Sequence, residues 1–85
     1  MNKRDIDSLE NGLKSFVPDN YKKDLKVSLE KDKSVVITYT GKQDEIIVKE
    51  LNHYFKVFVS KKAYLKSIDQ LKVLKKSIKY IVEVS

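Results

Sequence analysis

Apolar and polar positions alternate in different rhythms along the chain, and the rhythm sets the expected elements. In residues 5 to 17, Ile6, Leu9, Leu13, Phe16 and Val17 fall on one face of a helix. Asp5 or Asp7 is placed to cap it, and Asp7 with Glu10 three residues on resembles a capping box. Gly12 lies inside the pattern at a cost of about 1 kcal/mol relative to alanine, and Pro18 closes the helix. Asp19 to Lys23 is a polar connection from which Tyr21 folds back onto the core.

The rhythm then changes to period two. Leu25, Val27 and Leu29 alternate with Lys26, Ser28 and Glu30, the pattern of a half-buried strand. Lys31-Asp32-Lys33 makes a tight turn, and Ser34 to Thr40 forms a second strand, with Val35, Ile37 and Tyr39 on one side. Gly41 to Asp44 breaks it.

Residues 45 to 59 fit two descriptions. Ile46 to Lys49 and Tyr54 to Val59 form a hairpin across Asn52-His53, whereas Ile47, Leu51, Tyr54, Phe55 and Phe58 also sit at helical spacing. Periodicity does not decide. The richness in β-branched and aromatic residues favours strands. Ser60 to Lys66 connects to the C-terminal stretch, with Tyr64 and Leu65 seating it on the core. From Ser67 onward Ile68, Leu71, Leu74, Ile78, Ile81 and Val82 recur at helical spacing, and Ser67 with Gln70 fits a capping box.

The expected architecture is α+β in the order α-β-β-β-β-α, a single domain over residues 1–85. Its antiparallel meander carries both helices on one face. The other face presents Lys26, Ser28, Glu30, Thr38 and Thr40 to solvent or to a second subunit, which leaves room for a homodimer.

Charge adds a direction to this picture. The net charge is +6, but residues 1–59 hold 11 basic against 10 acidic residues. The excess lies in residues 60–85, where Lys61, Lys62, Lys66, Lys72, Lys75, Lys76 and Lys79 face only Asp69 and Glu83. On the expected C-terminal helix Lys72, Lys75, Lys76 and Lys79 share one face, and Lys61, Lys62 and Lys66 extend it upstream. Such a belt suits docking on nucleic-acid backbone or on an acidic protein surface. Lysine makes point-charge contacts to phosphates, and Arg4 is the only arginine, so backbone contact is expected rather than base reading. A solvated helix face is the plainer account of the same lysines. A lysine bias also follows from an AT-rich genome.

Candidate chemistry changes little. There is no cysteine, which removes disulfides, thiol nucleophiles and thiolate-bound metals. His53 is the only histidine, and an exposed turn residue explains it better than a base or a metal ligand. Asp5 with Asp7, and Asp44 with Glu45, are sequence neighbours explained by helix-end and turn roles. Gly12 and Gly41 lie in no phosphate-binding motif. Tyr54 and Phe58 with Lys56 between them form a base-stacking platform if the segment is a strand with that face outward. A core face, or a sheet edge marked by Lys56, explains them better. No enzyme, cofactor or metal is expected.

Helix, antiparallel strands and then a helix entered through Ser60-Lys61-Lys62-Ala63 resembles the double-stranded-RNA-binding domain, whose second helix also opens with a lysine pair. The chain departs from the family in lacking its glycine- and histidine-bearing loop and the alanine-rich body of its second helix. A fourth strand does not belong to that family either, so membership is not inferred.

Met1-Asn-Lys-Arg-Asp leads into no apolar run, so no signal peptide is expected, and no stretch approaches membrane-spanning length. The expectation is a cytoplasmic, non-enzymatic basic binding protein that contacts nucleic-acid backbone without sequence preference and does not bind membranes. The alternative is a protein-binding regulator or inhibitor of the kind short phage and mobile-element genes encode.

Overall fold

Asn2 begins the first helix, α1 (Lys3–Phe16). Its side chain accepts from the Asp5 backbone N–H at 3.0 Å, and the Asp5 carboxylate accepts from the Asn2 N–H at 3.1 Å. The capping box is therefore one turn upstream of the Asp7–Glu10 pair. Ile6, Leu9 and Leu13 are buried along one stripe. The computed structural model describes residues 2–30, 34–68 and 71–84, so the turn expected at Lys31-Asp32-Lys33 lies outside the described residues.

Pro18 starts a single turn, α2 (Asp19–Lys22), whose Tyr21 is buried as expected. Two strands follow, β1 (Leu25–Leu29) and β2 (Ser34–Tyr39), paired antiparallel with Val27 opposite Ile37. The next element is the helix α3 (Glu45–Ser60). Then come three strands, β3 (Leu65–Ser67), β4 (Lys72–Val73) and β5 (Ile78–Val84). The α+β class, the antiparallel sheet and the helices packed on it are as the residue pattern implies.

The element order departs from that pattern in two places. Residues 45–59 form a helix, not two strands. Asp44 caps it by accepting from the Ile47 N–H at 2.8 Å, and Leu51, Phe55, Phe58 and Val59 bury together. A half-buried strand cannot bury Phe55 and Phe58 on the same side, so tertiary packing overrides the β-propensity of the segment. The C-terminal helix is absent as well. Its place is taken by β3, β4 and β5, and Ile68 and Leu74 of the supposed apolar stripe stand half exposed. Ser67 lies in β3, where its hydroxyl accepts from the Tyr80 hydroxyl at 2.8 Å, and Gln70, its expected capping-box partner, lies outside the described residues.

Nor is the sheet a simple meander. Its order is β1-β2-β5-β3, with β4 also paired to β5. The last strand inserts beside β2, placing Ile78, Tyr80 and Val82 opposite Tyr39, Ile37 and Val35. β3 and β4 lie along the far side of β5 in registers offset by two residues, Ser67 opposite Val82 and Lys72 opposite Lys79. The inward side chains of the strands join those of α1 and α3 in one buried cluster, so the helices share one face of the sheet. Ser60 to Ala63 closes α3 instead of opening a helix, which removes the feature that carried the resemblance to the double-stranded-RNA-binding domain.

The two sheet edges are finished differently. In the β1–β2 ladder the Thr40 N–H donates to the Asp24 carbonyl and the Glu30 N–H to the Ser34 carbonyl. By alternation the Val27 N–H points away from β2. Glu10 of α1 reaches across and accepts from it at 2.7 Å, so α1 closes this edge.

Gly12 faces the Phe58 ring, and a Cβ added there would meet Phe58 Cζ at 3.7 Å, an ordinary contact. Gly12→Ala is therefore expected to stabilise the fold by about 0.5–1 kcal/mol, read as a higher urea midpoint at unchanged slope.

Burial, with the Glu50 carboxylate that accepts its hydroxyl proton, pushes Tyr21 up to about 12. Burial, then Asp24 and Asp44, raises Tyr39 too. The neutral phenol is thus favoured in the folded state. This stabilisation is present in full below the unfolded pKa of about 10 and is lost as pH rises from there toward 12. The urea midpoint is expected to fall across that window, and Tyr21→Phe to make the fall shallower.

Candidate nucleic-acid interface

The face of the sheet turned away from the helices is set by strand alternation. Lys26 of β1 lies opposite Thr38 of β2, Thr38 opposite Lys79 of β5, and Lys79 opposite Lys72 of β4. Directly opposite side chains on neighbouring strands stand about 5 Å apart and point the same way. Lys26, Thr38, Lys79 and Lys72 therefore form a continuous row across the sheet. A second row sets Ser28 opposite Val36 and Val36 opposite Ile81. A third sets Ser34 opposite Glu83 and Glu83 opposite Lys66. Four lysines share this face with two carboxylates among the described residues, Glu83 of β5 and Glu30 at the end of β1.

Lys72 and Lys79 sit directly opposite, a like-charge pair that a sheet does not favour.

The seven lysines expected to act together divide into three places. Lys66, Lys72 and Lys79 lie on the outer sheet face, joined by Lys26. Period-two alternation places Lys26 outward, but its distance in sequence hid its membership. Lys75 and Lys76 are exposed in the turn between β4 and β5. Turned to complement its neighbours, the Gln43 amide donates to the Leu74 carbonyl at 3.0 Å and accepts from the Ser77 N–H at 2.9 Å, pinning that turn to the segment before α3. Lys61 and Lys62 belong to the helical layer. Lys61 caps the C-terminus of α3 with its ammonium 4.8 Å from the Phe16 ring centre, and Lys62 stands 5.3 Å from that of Phe58. Ring quadrupoles and the helix end account for both.

The base-stacking platform does not form. Phe58 is buried on α3, and Tyr54 and Phe58 both pack against the Phe16 ring. Tyr39 and Tyr80 point into the core from the opposite side of the sheet. His53 lies exposed on α3 beside Tyr54, not in a turn.

Comparison with protein-family models, with curated proteins and with solved structures returns no match. Among the described residues no helix is long and apolar enough to cross a membrane. Fold and site together describe an α+β protein whose antiparallel sheet carries Lys26, Lys66, Lys72 and Lys79 on the face turned away from the helices, around the buried Ser34 and Val36.

Proposed function

We propose that this is a non-enzymatic binding protein that docks on nucleic-acid backbone through the outer face of its sheet. The observation that carries this reading is the in-register row of Lys26, Thr38, Lys79 and Lys72, with Lys66 on the same face. Ammonium groups aligned at strand spacing meet phosphates as point charges and release their counterions, which favours binding without reading bases. The placement of Tyr39 and Tyr80 on the core side supports backbone contact over base stacking. A duplex, whose bases are already stacked, suits this face better than a single strand. The carboxylates of Glu10, Asp44 and Glu50 are engaged in holding the fold, which supports a binding role over acid–base catalysis.

Fluorescence anisotropy on a labelled duplex tests the proposal. With three to four phosphate contacts, the slope of log affinity against log salt is expected to be about −3, and affinity to fall roughly 50–100-fold between 50 and 200 mM salt. Scrambling the duplex sequence is expected to change little. Equal affinity at both salt concentrations rejects the proposal.

A further inference from the structure

The second sheet edge is finished in the opposite way to the first. Among the described residues no helix carboxylate accepts from the Val73 N–H of β4 as Glu10 accepts from the Val27 N–H of β1. The Leu74 N–H donates to the Ser77 carbonyl at 2.8 Å, so by ladder alternation the Val73 N–H and carbonyl point away from β5, toward the open side. The Val73 side chain lies on the core side of the sheet but is 53% exposed, because α3 stops short of covering it. Between them runs a groove of about 340 Å³ lined by Val48, Lys49, Asn52, Lys56, Leu71 and Val73. It has an apolar floor in Val48, Leu71 and Val73 and a rim of Lys49, Asn52 and Lys56, and no carboxylate lines it among the described residues. Toward the N-terminus of α3 the same trough continues past Asp44 and Glu45.

We propose that this groove is the docking site for an extended acidic segment of a partner protein, which adds to the free edge of β4. Each feature fixes a property of the occupant. The outward N–H and carbonyl of Val73 bond an extended backbone. Side chains of an added strand alternate, so those facing α3 must be apolar over Val48, Leu71 and Val73, and acidic where they reach the rim. Lys49 and Lys56 are seven residues apart on the helix, about 10 Å along its axis, within reach of carboxylates two to four residues apart on a strand. Among the described residues neither lysine is in an ion pair. Asp44 and Glu45 require the end of the segment nearest them to be neutral or basic. The groove does not use the lysines of the outer face, so it stands or falls independently of the nucleic-acid reading.

A fluorescein-labelled peptide of about nine residues alternating Glu and Val, and its counterpart with Lys for Glu, provide the probes. The full chain is expected to bind the Glu peptide at least ~10-fold more tightly. Its amide resonances should shift at Val48, Asn52, Leu71 and Val73. Val73→Pro removes the outward donor without touching the β4–β5 ladder, and is expected to weaken the Glu peptide about 10-fold. The double substitution Lys49→Glu, Lys56→Glu is expected to reverse the preference toward the Lys peptide, a result that loss of folding cannot imitate. Equal binding of the two peptides, no binding at millimolar peptide, or shifts confined to Lys26, Lys66 and Lys79 would overturn the proposal. Displacement of the peptide by a DNA duplex would also overturn it, assigning the groove to nucleic acid.

Discussion

Phe55→Ala is expected to cost about 3–5 kcal/mol, a large part of the stability of a domain this size. Phe55 is fully buried in the middle of α3, its ring 5.8 Å from that of Tyr80 on β5, so it joins the helical layer to the central strands. Truncation leaves a cavity under a helix held by α1 on one flank and by β3 and β5 beneath, with little freedom to collapse. In a chain of this length the melting temperature should drop by roughly 15–30 °C. Phe58→Ala is expected to cost more than about 2 kcal/mol as well, because Phe58 is buried on the same side of the helix. Ile46→Ala, 69% exposed in the first turn of α3, is expected to stay within about 0.5 kcal/mol. Urea denaturation of the three variants checks the helix itself. On a half-buried strand Phe55 and Phe58 point to opposite faces, and only one of the two substitutions would be severe.

The contrast between these residues shows what the sequence made legible. The first half of the fold followed from unambiguous rhythms: Ile6, Leu9 and Leu13 at helical spacing, and Leu25, Val27, Val35, Ile37 and Tyr39 at period two. Each pattern has one structural solution that buries it. The stretch from Ile47 to Val59 has two, because Val, Ile, Tyr and Phe serve a strand by propensity and a helix by spacing. The N-cap at Asp44, with no turn residue stronger than Asn52-His53 further on, was the local sign of a helix. At the C-terminus Ile78, Tyr80, Val82 and Val84 carry a period-two signal inside a window that also fits a helix. What decides between them is β2, whose inward Val35, Ile37 and Tyr39 need a second neighbour. That demand is nonlocal and no window in the segment contains it. The lysines show the same nonlocality: neighbours in one run of sequence fall in different layers, while the row across the sheet aligns residues of different strands. Lys26 and Lys79 are far apart in sequence and two strands apart in space, and Lys61 and Lys66 are close in sequence and lie in different layers.

Replacing Lys26, Lys66 and Lys79 together with glutamine is expected to lower duplex affinity about 10²–10³-fold at 50 mM salt, and to flatten the salt slope by about 2.7. A charge-matched control separates a local surface from net charge alone. Lys49 and Lys56 of α3 and Lys61 at its C-cap lie in the helical layer, and their replacement with glutamine removes the same total charge. The control is expected to bind within about threefold of the natural protein, since exposed charges farther from the phosphates than the Debye length, roughly 14 Å at this salt concentration, are largely screened. Stability supplies an independent reading. Lys79 lies between Thr38 and Lys72 in the row, so Lys79→Thr relieves a like-charge pair and adds a β-branched residue. It should leave the urea midpoint unchanged or raise it by a few tenths of a kcal/mol while weakening the duplex complex. Equal loss of affinity in the two triple variants would assign the interaction to net charge and leave the outer face without a specific role.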